Sequence, residues 1–442
     1  MKLYGKTREE ASDAIKKGKI NVAVYGLGKM GLPLAAIYAD SGANVTGVDI
    51  SPKVVEGINR GINHIKEEPG LDALVRKVVG SGNLKATNDP VAAAKEADVM
   101  IILVPTLIKN NKPDLSPVFS VAGNIAKGLK KGDIVITECT MPPGSTEALI
   151  PILEKSGLSA GKDFGLGHCP ERTMTGTALE DIRGKYPKIV GAADAKAREP
   201  LVGIYSVVNK RGVIPVSNIK AAELVKVFEG VYRDANIGLA NELEAVCRKH
   251  AVDYMEIQAA ANTQPFCHLH KPGGVGGHCI PFYPYFVMDD DTILIRTARA
   301  VNDTIPDYVV KLAKDALGER GKDLKDANIL VLGIAFRGGV KETIKSTGLE
   351  IIGKFSPLAK SVYAYDPLYS RKEIEAFNVK HSTGYGNIDA IIIAADHREF
   401  REYDWKGIAK KVRTPVLIDT RQVVDPAEAR AAGFVYRGIG YV

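Results

Sequence analysis

Ile20-Asn21-Val22-Ala23-Val24-Tyr25-Gly26-Leu27-Gly28-Lys29-Met30-Gly31 is the stretch whose reading decides the fold. Apolar and β-branched residues over Ile20–Tyr25 predict a buried strand. Three glycines follow at once, and an alanine-rich run, Pro33–Asp40, predicts a helix beyond them. Asn44–Val48 predicts the next strand, closed by Asp49. In such a unit the first glycine permits the tight turn. The second lets backbone approach a pyrophosphate, and the third lets helix and strand pack closely. The helix N-terminus then presents unpaired N–H groups to the phosphates. Asp49 stands 18 residues past Gly31. A carboxylate there hydrogen-bonds a ribose diol and repels a 2′-phosphate, so NAD is expected rather than NADP.

Outward from this turn the alternation continues. Val99–Val104, Ile134–Thr137 and Ile189–Val190 predict further strands, with helical patterns between them. That alternation implies a doubly wound parallel sheet. Ile219–Lys249 is proline-free and rich in Ala, Glu, Lys and Leu, and predicts one long helix. Pro265–Pro284 breaks the pattern with glycines and prolines, and helices resume over 291–317. A second strand and glycine turn stand at Ala327–Phe336. Strands at Ser361–Tyr365, Ile391–Ala394 and Val416–Ile418 follow it. The fold class is therefore α/β: two doubly wound Rossmann-like domains joined by a central helical domain with a long helix. The expected division is 1–215 for NAD, 216–318 for the helical centre and 319–442 for the second α/β domain.

The 442 residues carry a net charge of +7, with 45% hydrophobic and 25% charged residues. The basic excess is spread along the chain. No basic block with interleaved aromatics is present, so nucleic-acid binding is not expected. The polar N-terminus has no apolar core of a signal peptide, and no run approaches the ~18–20 apolar residues of a membrane span. Five cysteines at 139, 169, 247, 267 and 279 have neither disulfide nor metal-ligand spacing, so no metal and a reducing, cytoplasmic setting are expected.

One cysteine stands apart. Pro272-Gly273-Gly274-Val275-Gly276-Gly277-His278-Cys279-Ile280-Pro281 places Cys279 behind four glycines and beside His278. Such a loop lets backbone approach a ligand. Neighbouring positive charge and N–H dipoles favour a thiolate. In an NAD enzyme that pairing points to aldehyde oxidation through a thioester. The other four cysteines read as structural.

These residues resemble the UDP-glucose/GDP-mannose dehydrogenase family, and the resemblance runs through nearly the whole chain. It is carried by Leu32-Pro33 after the turn, Glu68-Pro69-Gly70-Leu71, Val104-Pro105-Thr106 and Glu138-Cys139-Thr140 with Pro143-Gly144-Ser145-Thr146. Further along come Pro170-Glu171-Arg172, Ala222-Glu223-Leu224-Val225-Lys226, Asn241-Glu242 and Gly276–Pro281. Asp366-Pro367, Asp396–Phe400 and Asp419-Thr420-Arg421 are similar to segments of the family's UDP-binding domain.

The resemblance implies a four-electron oxidation of a UDP-sugar C6 alcohol to the acid, consuming two NAD, in a homodimer or higher homo-oligomer built on the long helix. It implies Cys279 as nucleophile, Lys226 as oxyanion stabiliser, Glu171 as base and Thr140 as the positioner of water. Gly26, Gly28, Lys29, Met30, Gly31, Asp49, Lys53, Thr106 and Thr140 would hold NAD. Arg172, Thr173, Lys226, Arg233, Gly276, His278, Phe336, Arg337 and Arg421 would line the sugar-nucleotide site. The pattern is nearest the N-acetylhexosamine branch, with UDP-N-acetyl-D-mannosamine the first expectation. A UDP-glucose or GDP-mannose 6-dehydrogenase is the alternative enzyme, and a non-catalytic nucleotide-sugar-binding protein the alternative of another class.

Four departures from the family stand out. Gly230 stands where the family has Asn, four residues after the lysine, and is expected to leave room for water beside Lys226. Tyr283 replaces an Asp four residues after the cysteine. Its phenol either donates to an oxyanion or packs among Phe282 and Tyr285 and faces away. Ile344 replaces an arginine that would reach NAD across the dimer, with Lys345 as a substitute. Gln264-Pro265-Phe266 replaces a His-Pro-Arg segment.

Overall fold

The computed structural model describes residues 1–109 and 112–442 and divides into two compact units. The first is Met1–Glu229 with Tyr285–Val287, and the second is Gly230–Pro284 with Met288–Val442.

In the first unit Asn21–Tyr25 is a strand and Gly31–Asp40 the helix after the glycine turn. Asn21–Tyr25 pairs in parallel with Asn44–Val48 on one side and Val99–Ile102 on the other. Chain order reverses at this strand, so a crevice opens at its carboxyl end, where Gly26 lies. The full sheet runs Val213–Pro215, Lys188–Ala192, Gly165–His168, Ile134–Thr137, Val99–Ile102, Asn21–Tyr25, Asn44–Val48, Leu84–Thr87. One pair departs from the expected parallel pattern: Gly165–His168 and Lys188–Ala192 are antiparallel. The reason is the connection. Parallel return needs a crossover helix, and here only two short helical segments, Ala178–Glu180 and Asp181–Lys185, intervene.

The second unit holds a six-stranded parallel sheet in the order Lys380–His381, Ser361–Tyr365, Asn328–Leu332, Ala390–Ile393, Val416–Asp419, Val435–Gly438. It repeats the glycine device of the first. A Cβ at Gly31 would lie 1.8 Å from the Gly26 carbonyl oxygen, and one at Gly348 2.3 Å from that of Gly333. Only a missing side chain lets helix and turn approach so closely. In both units an aspartate ending the next strand accepts from the turn. Asp49 takes the Leu27 amide at 3.0 Å, and Asp366 takes those of Ile334 and Ala335 at 2.8 and 2.9 Å.

Ile219–Lys249 is one continuous helix, as its composition predicts. Within the second unit Gly238 lets the backbone at Ala298 come near, since a Cβ there would stand 3.0 Å from the Ala298 carbonyl oxygen. Asp234, buried on this helix, binds the Arg299 guanidinium and accepts from Asn302 Nδ2 at 3.0 Å. The helical pattern over 291–317 resolves into two helices, Ile293–Asp303 and Ile305–Gly318. No helix among the described residues is long and apolar enough to cross a membrane.

Candidate active site

Four neighbouring parallel strands of the first unit end at one edge of the sheet. Gly26 and Asp49 follow two of them, and Thr106 and Thr140 lie beyond the ends of Val99–Ile102 and Ile134–Thr137. Gly26 has φ +98°, and a Cβ on it would stand 2.4 Å from the Leu103 carbonyl oxygen. Nothing lies within 4 Å of a Cβ built on Gly28, so the turn keeps an open face at the helix N-terminus. That opening fits a dinucleotide pyrophosphate. Asp49 also accepts the Ser51 amide, at 2.9 Å. Lys29 lies 4.0 Å from Glu67, Met30 is partly buried, and Lys53 is exposed in the first turn of Pro52–Asn59.

Lys226 and Glu171 come together in the same unit. Both are buried, the lysine on the long helix and the glutamate on the loop after Gly165–His168. Lys226 Nζ donates to the Glu171 carbonyl and lies 3.4 Å from its Oε2. The Thr173 amide caps the other carboxylate oxygen, and Thr173 Oγ1 lies 2.7 Å from Met30 Sδ. Cofactor turn and glutamate segment are thus in direct contact. Arg172 is drawn to Glu229 at 2.6 Å, with its guanidinium carbon 4.9 Å from the Tyr186 ring centroid. Beneath them His168 is fully buried. Burial, with the charges of Lys188 and Lys226, lowers its pKa to about 3, so the ring is neutral, with Nδ1 2.8 Å from Thr137 Oγ1.

Burial sorts the cysteines. The Cys139 thiol is pushed up to about 12 and that of Cys169 is raised as well, both by desolvation, so neither is ionised near neutrality. Cys279 is exposed. It sits in the second unit at the end of a glycine loop fixed by packing and hydrogen bonds. Gly277 has φ +96° and donates its amide to the Ile344 carbonyl at 3.0 Å. A Cβ on Gly276 would lie 2.5 Å from the Lys345 carbonyl oxygen and 3.1 Å from Phe336 Cβ. His278 Nε2 is 3.1 Å from a Glu342 carboxylate oxygen. Arg421 donates to the carbonyls of Ala394 and Gly274 at 3.0 and 3.1 Å, joining strand end and glycine loop. Gly276, His278, Phe336 and Arg421 are therefore neighbours. Arg337 lies 5.7 Å from the Phe336 ring centroid, and Arg233 is exposed on the long helix. Lys345 lies 3.7 Å from Glu350. Gly230 does not open onto water as its small size led us to expect. The Tyr283 ring fills the space, 2.0 Å from where a Cβ would stand.

Three residues acquire roles that motif reading left blank. Glu223 accepts the Gly144 and Thr146 amides at 2.6 and 2.8 Å and so holds the loop after Thr140. Asn241 both accepts from the Gly273 amide, at 2.7 Å, and donates to its carbonyl, at 3.2 Å. Glu68 accepts the amides of Gly176, Ala178 and Leu179, which follow the Glu171–Thr173 segment. Each is a polar side chain inside a motif, which is the signal that could have flagged it.

Residues 20–209, 220–304 and 330–426 match the NAD binding, central and UDP binding domains of one family. A UDP-N-acetyl-D-mannosamine dehydrogenase of Pyrococcus horikoshii is 37% identical over 426 residues, covering 95% of this chain and 99% of its own. The solved structure of UDP-D-ManNAc dehydrogenase from that organism superposes with a TM-score of 0.87 at 36% identity, covering 95% of this chain and 99% of that one. That of NDP-N-acetyl-D-galactosaminuronic acid dehydrogenase from Methanosarcina mazei Go1 gives 0.84 at 30% identity, covering 98% of each chain. The chain, an NAD-dependent nucleotide-sugar oxidoreductase, belongs to the UDP-glucose/GDP-mannose dehydrogenase family.

Proposed function

We propose that this enzyme oxidises the C6 alcohol of UDP-N-acetyl-D-mannosamine to the uronate, for use in polysaccharide or glycan precursor synthesis. The carrying observation is the near end-to-end similarity to the Pyrococcus horikoshii enzyme of that name. A second reading, an N-acetylgalactosamine nucleotide as substrate, draws on the Methanosarcina mazei likeness. Purified protein with NAD should release two NADH per sugar from UDP-N-acetylmannosamine. Faster turnover of UDP-N-acetylglucosamine, UDP-N-acetylgalactosamine or UDP-glucose would reassign the substrate, and no NADH with any of them would leave a binding protein.

The residues divide the work. NAD supplies the two-electron oxidant for each half of the reaction. Lys226 offsets charge on the C6 oxygen, first as the alcohol loses its proton and later at the tetrahedral centre. Cys279 adds to the aldehyde as thiolate, forming a thiohemiacetal. Loss of two electrons leaves a thioester. Thr140 positions a water, and Glu171 takes its proton as it attacks the thioester. The C–S bond breaks, leaving carboxylate and thiol. Arg172, Thr173, Arg233, Gly276, His278, Phe336, Arg337 and Arg421 shape the sugar-nucleotide site. Residues 1–215, 216–318 and 319–442 act as the cofactor, dimerising and nucleotide domains.

Asp49 sets cofactor choice. Its charge disfavours a 2′-phosphate, so Asp49→Ala should narrow the preference for NAD over NADP. Because the carboxylate also accepts the Leu27 and Ser51 amides, the alanine variant should raise KM for NAD as well. Asp49→Asn removes the charge while keeping an acceptor. Cofactor titrations of both variants check this, and a wild type faster with NADP would contradict it.

The long helix is the dimer seam in this reading. Tyr232, Leu239 and Val246 recur every seven residues and are 51%, 45% and 48% exposed. Apolar groups at that spacing share a helix face. Sedimentation should show a dimer that Leu239→Glu dissociates. A monomeric wild type at micromolar concentration would exclude it.

A further inference from the structure

The residue four places after Cys279 and a glycine on the long helix meet in one contact. A Cβ at Gly230 would stand 2.0, 2.9 and 3.0 Å from Cδ2, Cγ and Cε2 of Tyr283. One edge of the ring thus fills the place that any side chain at 230 would take. Tyr283 is 6% exposed. The ring is buried, and its backbone is tied to the cysteine. The amides of Phe282 and Tyr283 both donate to the Cys279 carbonyl at 3.0 Å. Before the cysteine, the Gly277 amide is held by the Ile344 carbonyl. Cys279 thus stands two residues after a held amide and opens the turn that carries Tyr283.

We propose that Gly230 and Tyr283 form a coupled positioning pair: the Tyr283 ring, seated in the notch opened by the missing side chain at 230, sets the Cys279 turn and the direction in which the thiol is presented. The inference rests on Cys279 being the reacting thiol. It makes Tyr283 a positioning residue that acts through its ring, and it makes the glycine and the tyrosine one change rather than two.

The sign of a single substitution separates this from an empty notch. Alanine is a far better helix former than glycine, so Gly230→Ala would stabilise the protein if the space were vacant. With a ring 2.0 Å away, the new methyl must instead displace Tyr283 and the turn tied to it. The experiment uses the full chain and three readouts: iodoacetamide alkylation of Cys279 against pH, followed by peptide mass; kcat with the nucleotide sugar; and the thermal midpoint. Gly230→Ala should lower the midpoint, change the alkylation rate about tenfold and lower kcat roughly 10²-fold, the scale of a ~1 Å misplacement. Tyr283→Phe keeps the ring, so its alkylation rate should stay within about threefold of wild type, whereas that of Tyr283→Ala should change about tenfold. In Gly230→Ala with Tyr283→Ala, the methyl meets no ring, so the double variant should match Tyr283→Ala alone within about twofold.

A purely structural contact would move the midpoint and leave the alkylation profile unchanged, and that result overturns the proposal. So does a Gly230→Ala protein that is stabilised and fully active. Penalties that multiply in the double variant, or a change of alkylation rate in Tyr283→Phe as large as that in Tyr283→Ala, also overturn it. Failure of the underlying reading looks different. Cys279→Ser would then still make the acid, while alkylation of Cys279 would still report on the ring.

Discussion

Cys279→Ser is expected to end uronate formation, lowering acid production roughly 10⁴-fold or more, the scale of losing a catalytic nucleophile. The aldehyde-to-acid half fails first, because a serine hydroxyl is a much poorer nucleophile than a thiolate at neutral pH. The alcohol-to-aldehyde half needs no sulfur and should persist to the extent that aldehyde leaves the site. NADH yield per sugar should therefore fall from two toward one at most. The fold should be indifferent: Cys279 is exposed, and exposed substitutions shift stability by about 0.5 kcal/mol or less. Mass spectrometry of quenched wild-type turnover should find the sugar nucleotide as a thioester on the Cys279 peptide. Full turnover by the serine protein, with two NADH per sugar, would remove Cys279 from the chemistry. Neither Cys139 nor Cys169 offers a substitute, since burial keeps both protonated.

The parts of this molecule that were legible in its sequence are those fixed by short-range rules. Gly26, Gly28 and Gly31 after an apolar strand require a turn at which helix and strand nearly touch, and the 1.8 Å separation at Gly31 is that requirement made physical. The long helix was legible because nothing between Ile219 and Lys249 breaks one. Strand direction was not. Whether Lys188–Ala192 runs with or against Gly165–His168 depends on the path of the intervening segment, which has no strong period. The partners of the residues that hold the site together were also hidden. Glu68 meets amides more than a hundred positions away, and Arg421 reaches the carbonyl of Gly274, 147 positions away. A side chain's choice of distant backbone partner leaves no local trace. Gly230 shows the same limit in reverse. Its smallness was visible and its occupant was not, because Tyr283 lies 53 positions along the chain.

The second large effect concerns Lys226, and it needs a design that separates charge from support. Lys226 and Glu171 have side chains only 11% and 8% exposed. Removing one member of such a pair strands the other, at a cost of about 3–5 kcal/mol. The Thr173 amide on the other Glu171 oxygen moderates that cost. Lys226→Met should therefore be both inactive and less stable, and activity alone would not say why. Adding Glu171→Gln neutralises the stranded carboxylate, and the amide nitrogen leaves one oxygen to take the Thr173 amide. The double variant should regain most of the lost stability while kcat stays depressed, by roughly 10²–10³-fold for the loss of one oxyanion-stabilising group and more where the base is lost as well. Pre-steady-state NADH release should show the first oxidation already slowed in Lys226→Met, in contrast to Cys279→Ser, because the lysine meets negative charge on the C6 oxygen in both halves. A Lys226→Met enzyme whose first NADH appears at the wild-type rate would confine the lysine to support of Glu171. Recovery of kcat together with stability in the double variant would assign its whole effect to folding.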